Sequence, residues 1–199
     1  PRPWGNPLWL RTDDGWLQGA YVQPVEEALN TPVLKVPSSG MLVETTVPYA
    51  QAYEILKDNR WKPKYRFYYN TTHWVHYAFE GANGMIWYQI IDDRYGGYYM
   101  AQAENFRPGA AEEITPISPG VPDKRLEIDL TRQRLLAYEG SQPVFATRIS
   151  TGSFPGSTPQ GEYKVERKQA SRHMANDFDG DDFDLPGVPW VCYISWTGV

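Results

Sequence analysis

The order of apolar and polar residues predicts strands along almost the whole chain and very little helix. From Trp9 to Pro24 the two classes alternate about Asp14-Gly15. A period of two sends successive side chains to opposite faces, and Asp-Gly favours a tight turn, so this stretch predicts a β-hairpin. Residues Trp87 to Met100 repeat the arrangement, with the polar run from Asp92 to Gly97 between two aromatic segments. Between the copies, clusters of aromatic and β-branched residues predict strands at Met41–Tyr49, Tyr65–Tyr69 and Trp74–Phe79. Beyond Lys124 the alternation resumes and predicts strands at Arg125–Leu130, Leu135–Tyr138, Val144–Ser150 and Tyr163–Glu166. Turns are expected through Thr131, Arg132 and Gln133 and at Glu139-Gly140.

The two hairpins resemble the closing hairpin of a bacterial SH3-like module, in which an aromatic strand, an acidic turn and a second aromatic strand follow one another. Residues 1–30 then read as the end of a truncated repeat, because a last hairpin alone cannot close a barrel. Residues 31–107 hold the earlier strands as well and predict a small SH3-like β barrel. Residues 108–123 carry Pro108, Pro116, Pro119 and Pro122, a composition that favours an extended linker. Residues 124–199 form a further β domain. The expected fold is mostly β throughout.

Composition narrows the function. Eight Trp and 14 Tyr in 199 residues suit small β modules whose thin cores need large side chains. The formal charge of -5, with no Lys/Arg block, lacks the footprint of a nucleic-acid binder. No apolar run reaches the roughly 18 to 20 residues of a membrane span. The single cysteine, Cys192, excludes an intramolecular disulfide and a cysteine-rich zinc site.

In the last segment Ile128-Asp129-Leu130, Gln133-Arg134-Leu135, Tyr138-Glu139-Gly140, Ser150-Thr151-Gly152, Thr158-Pro159-Gln160-Gly161-Glu162-Tyr163 and Gly187-Val188-Pro189-Trp190 follow in order. Together they resemble the landmarks of the L,D-transpeptidase (YkuD) catalytic domain, over residues 124 to 199. Gly140, Gly152 and Gly161 suit turn positions of positive φ, and Pro159 presets a turn. The resemblance implies a YkuD-type β sandwich of which this segment is the first part. It also implies a His-Gly pair and a later Ser-His-Gly-Cys motif, expected beyond Val199, so that no catalytic residue lies in this chain and the chain alone is inactive.

The implied chemistry is peptidoglycan cross-linking. A thiolate, activated by a nearby imidazole, attacks the carbonyl between the diamino acid and the terminal D-alanine of a stem peptide. D-Alanine leaves, an amine of a neighbouring stem takes the acyl group, and backbone N–H groups steady the oxyanion. No metal or organic cofactor is required. The implied partners are peptidoglycan stem peptides and glycan, and the implied location is the extracytoplasmic bacterial envelope. The resemblance also implies that Met174 lines the substrate cleft. The alternative reading is a non-enzymatic wall-binding scaffold.

Other residues invite chemistry. Cys192 shares even spacing with Trp190 and Ile194, which predicts a small buried core thiol, although a Cys192–His173 dyad is conceivable. His73 and His76 would fall on opposite faces of a strand and so read as polar members of the module rather than metal ligands. The run from Asp177 to Asp184 resembles an EF-hand loop, but Gly180 is fourth rather than sixth and Val188 stands where Glu is needed, which leaves a solvated loop or weak Ca²⁺ binding. Its negative field would favour an acceptor amine. Tyr68, Tyr69, Tyr98 and Tyr99 are candidates for stacking on glycan or peptide, or for filling the core.

Overall fold

The computed structural model describes residues 8–19, 22–154, 156–176 and 183–195, and these are mostly β, as the alternation predicts. Two compact units are present: Pro1–Gly109 with Ala170–Trp190, and Ala110–Gln169 with Val191–Val199.

In the first unit, β1 (Trp9–Thr12) and β2 (Gly15–Gln18) form the expected hairpin. The register pairs Thr12 with Gly15, so Asp13 and Asp14 make the turn. Seven further strands follow: β3 (Met41–Thr45), β4 (Tyr49–Ile55), β5 (Trp61–Tyr68), β6 (Thr72–Glu80), β7 (Ile86–Ile91), β8 (Tyr98–Gln102) and β9 (Phe106–Pro108). They lie in one antiparallel sheet in the order β5-β4-β8-β7-β6-β3-β9. The second expected hairpin is β7–β8, closed by the pair Ile91 and Tyr98 over the acidic turn.

The predicted strand Met41–Tyr49 is in fact two. Thr46 is drawn out of the ladder by its hydroxyl, which donates to Ala28 O at 2.6 Å, while its N–H donates to Asn105 O at 3.0 Å. Pro48 has no N–H to offer, and the chain restarts as β4 at Tyr49. The core of the unit is made by Val43, Phe67, Val75, Tyr88, Ile90 and Phe106, each fully buried. Tyr88 and Ile90 show the period of two on β7, and the Tyr88 hydroxyl is satisfied by the N–H of Val33 at 2.8 Å.

In the second unit, β10 (Lys124–Asp129), β11 (Arg134–Glu139) and β12 (Gln142–Arg148) form an antiparallel meander in that order. The register slips at Ala137/Tyr138, where Pro143 faces Tyr138 and cannot donate to the ladder. Directly opposed residues share a face, so Leu126 and Ile128 lie beside Ala137 and Leu135, and Ala137 beside Phe145. That apolar face is open: Leu126, Ile128 and Phe145 are 56%, 51% and 58% exposed.

A last hairpin joins β13 (Arg167–Ala175) to β14 (Asp184–Tyr193). The strand expected at Tyr163–Glu166 does not form. Its partner strand ends at Tyr193, whose carbonyl accepts the N–H of Glu166 at 2.8 Å, and regular pairing starts only at Arg167.

Candidate functional site

Residues 170–176 and 183–190 of the last two strands pack within the first unit, through a polar seam centred on His173. The acidic turn between β7 and β8 builds one half. Asp92 Oδ1 accepts the N–H groups of Arg94 and Tyr95 at 2.9 and 3.1 Å, the geometry of an Asx turn, and its Oδ2 accepts the Tyr99 hydroxyl at 2.8 Å. His173 adds a fourth bond, its Nδ1 lying 3.0 Å from Asp92 Oδ1. Burial alone would raise the Asp92 carboxyl, yet the N–H groups of Tyr95 and Arg94, the Tyr99 hydroxyl and His173 together hold it below its ordinary value. Burial, followed by the adjacent Asp92, pushes the Tyr99 hydroxyl well up, so it stays a donor.

The other ring nitrogen of His173, Nε2, lies 2.5 Å from Asp184 Oδ1 at the start of β14. Asp184 Oδ2 accepts the Tyr65 hydroxyl at 2.8 Å. Burial first, and then Asp184, push the Tyr65 hydroxyl up. The edges of the seam are tied by Asp93, which accepts the backbone N–H of His173 at 2.8 Å and the Arg172 guanidinium at 2.6 Å. Thr72 and Ser171 exchange hydroxyl bonds with the carbonyls of Ala170 and Thr72, both at 2.5 Å.

His73 lies beneath the hairpin with 3% of its surface exposed and its ring 3.9 Å from that of Phe67. Burial, and then the neighbouring His173, pull its pKa down to about 3, so it is neutral. His76 is exposed on the other side of β6, as the spacing of three predicts. The two rings do not converge.

Met174, the residue implied to line the substrate cleft, is half-buried on β13 beside His173. His173 faces the seam, and alternation turns the next side chain to the opposite face. Cys192 is exposed rather than core-packed: the irregular backbone at Trp190, with φ of 53°, precedes it and breaks the simple alternation on which the expectation rested. Both His173 nitrogens are held by carboxylates, so neither is left to activate a thiol. The acidic run from Asp177 to Asp182 lies outside the described residues. Asp184, counted with that loop in the sequence, is instead the first residue of β14 and a seam carboxylate. Among the tyrosines, Tyr68 and Tyr98 are exposed, Tyr69 is half-buried, and Tyr99 is buried with its hydroxyl on Asp92.

Two features were not anticipated. Asp92 and Asp93 read in the sequence only as a turn, because their partners stand about eighty residues away along the chain. An aromatic cluster joins Tyr53, Trp61 and Trp87, with the two indoles 4.6 Å apart and edge to face. Trp61 is 38% exposed.

In the second unit the landmarks acquire physical roles. Asp129 Oδ1 accepts the N–H groups of Thr131 and Arg132 at 3.0 and 2.9 Å, making the turn that leads to Gln133. Gln133 takes a φ of 51°, and its side-chain amide accepts the N–H of Thr151 and donates to Thr151 Oγ1 and Leu130 O. Gly140 has a φ of 59°, as expected of a turn. Gly152 is a correction: its φ is not positive. It is small because a Cβ there would lie 2.3 Å from that of Ser157, and its N–H donates to Thr158 Oγ1 at 2.9 Å. Leu130, Gln133, Thr151, Gly152, Thr158 and Gln160 line an open groove.

Residues 123–193 match the family model YkuD, the L,D-transpeptidase catalytic domain, and all six landmarks fall inside the match. No curated protein and no solved structure matches the chain. No helix among the described residues is long and apolar enough to cross a membrane.

Proposed function

We propose that this polypeptide belongs to a peptidoglycan L,D-transpeptidase, a cysteine acyltransferase that cross-links stem peptides outside the cytoplasmic membrane. The carrying observation is the coincidence of the family match at residues 123–193 with turns fixed by Asp129, Gln133 and Gly140. In this reading the nucleophile is the cysteine of the family's Ser-His-Gly-Cys motif. The open apolar face formed by Leu126, Ile128, Leu135, Ala137 and Phe145 supports this reading, since a sandwich needs a second layer against such a face. Met174 contributes to the wall of the donor groove. Residues 31–107 serve as an SH3-like tether, and residues 108–123 as the linker to the catalytic segment.

The experiment is D-alanine release. A polypeptide continued past Val199 through the His-Gly and Ser-His-Gly-Cys segments should release D-alanine from a tetrapeptide stem and transfer the remaining tripeptide acyl group to an acceptor amine. Changing the motif cysteine to Ala should abolish release. Absence of release by the folded, unmutated polypeptide would sink the enzyme reading.

A second reading, a wall-binding scaffold without catalysis, is favoured by the aromatic cluster of Trp61, Trp87 and Tyr53, an edge-to-face set with one indole in solvent that suits stacking on sugar rings. D-alanine release separates the two: both readings expect sedimentation with purified peptidoglycan, weakened by Trp61→Ala, but only the first expects release.

A further inference from the structure

Residues 170–176 and 183–190 belong to two parts of the molecule at once. They lie inside the family-matched stretch 123–193, yet they pack in the compact unit formed by Pro1–Gly109. The side chains that receive them, Tyr65, Thr72, His73, Asp92 and Asp93, all precede the matched stretch.

The reception is specific rather than merely adhesive. Asp93 takes a backbone N–H and a guanidinium from successive residues of β13, which fixes the strand's register along the acidic turn. His173 spans from Asp92, on that turn, to Asp184, at the start of β14, and so ties both strands of the hairpin to one point. Its side chain is 2% exposed and that of Asp92 is fully buried. Neither group can touch a substrate. A fully bonded buried carboxylate loses much when one partner goes, so the arrangement has one favoured state rather than a range.

We infer that Asp92 is a positioning residue: acting through His173, it clamps β13 and the start of β14 and thereby sets the strand face that presents Met174 to the acyl donor. The upstream module is then part of the enzyme's donor site rather than a tether alone. This inference rests on the transpeptidase reading, and its test separates the two.

Hydrogen exchange on the 199-residue chain reads the clamp without any activity. In Asp92→Asn, amides of Ser171–Ala175 and Leu185–Trp190 should lose about tenfold of their protection, while those of Tyr88 and Ile90 in the core keep theirs. The continued polypeptide then reads positioning: Asp92→Asn should raise the KM for the tetrapeptide donor about fivefold and leave kcat within about twofold. If Asp92→Asn does not fold, Asp93→Asn at the rim of the seam takes its place, with the same signs. Unchanged hairpin protection overturns the clamp. A freed hairpin with an unaltered KM, or a uniform loss of kcat, overturns the positioning role. Absence of D-alanine release by the unmutated polypeptide overturns the enzyme reading and the donor role with it, while hydrogen exchange still decides the clamp.

Discussion

Gly187 rests directly on the imidazole of His73: a Cβ built on Gly187 would fall 2.2 Å from His73 Cε1, and the Gly187 φ is +82°. The close approach and the left-handed backbone each require glycine, and the position lies within the landmark Gly187-Val188-Pro189-Trp190. Gly187→Ala should therefore cost about 2 kcal/mol or more, measured by denaturant unfolding. His73→Ala opens space under the hairpin, so the double variant should recover the steric part of the loss and keep the backbone part, a coupling that a double-mutant cycle measures. Strict additivity would contradict the contact.

His73 makes the first unit sensitive to acid. Its ordinary pKa is 6.5 and in the folded protein it is about 3. Between those values the unfolded chain binds a proton that the native state refuses, so stability rises with pH across the window and falls as pH drops from 6.5 towards 3. Asp92, held below its ordinary 3.8, adds its own loss only at the acid end. His73→Gln should flatten the dependence between about pH 6 and pH 4, read from urea midpoints. An equally steep dependence in the variant would assign the effect elsewhere.

The Gln133 amide is the tie between the β10–β11 turn and Thr151. Gln133→Ala removes three bonds of that amide, two of them to Thr151. It should lower the stability of the second unit by about 1 to 3 kcal/mol. Backbone amide shifts at Thr151 and Gly152 should move with it. Gln133→Glu should keep the acceptor for the Thr151 N–H and lose the donors, giving a smaller effect.

The apolar face of β10–β12 is uncovered among the described residues, and a substitution on it tests whether a second layer packs there. Ile128→Glu should change the thermal midpoint of the 199-residue chain little, since Ile128 is already half exposed. In the continued polypeptide the same substitution should cost about 2 to 4 kcal/mol, because it buries a charge against the second layer. Equal effects in both would mean that nothing covers the face.

The strands were legible where each could be judged alone. Alternation located both hairpins and the β10–β12 meander because turn chemistry is local, although the first turn falls at Asp13-Asp14, one residue before the expected Asp14-Gly15. It failed where a strand's fate depended on a distant partner: Thr46 leaves β3 because Ala28 O and Asn105 O claim it, and Tyr163–Glu166 stays irregular because β14 ends at Tyr193. The same holds for the seam. Asp92 reads in the sequence as a turn residue, Asp184 as part of an acidic loop, and Tyr99 is open between the surface and the core; His173, brought from β13 to the β7–β8 turn, bonds Asp92 and Asp184, while Tyr99 donates to Asp92. The family landmarks were legible because each is a local turn device. Their sum, rather than any one of them, carried the resemblance.

In the proposed reaction the strands after Lys124 present the thiol of the Ser-His-Gly-Cys motif to a stem-peptide carbonyl. Intact-mass spectrometry of the continued polypeptide, quenched in acid after mixing with a tetrapeptide stem, tests it most directly. The account predicts a covalent adduct equal to the stem minus D-alanine, on the cysteine of the Ser-His-Gly-Cys motif and reversed by an amine acceptor. A folded polypeptide that stays at its unmodified mass, or that carries the adduct on Cys192, would contradict it.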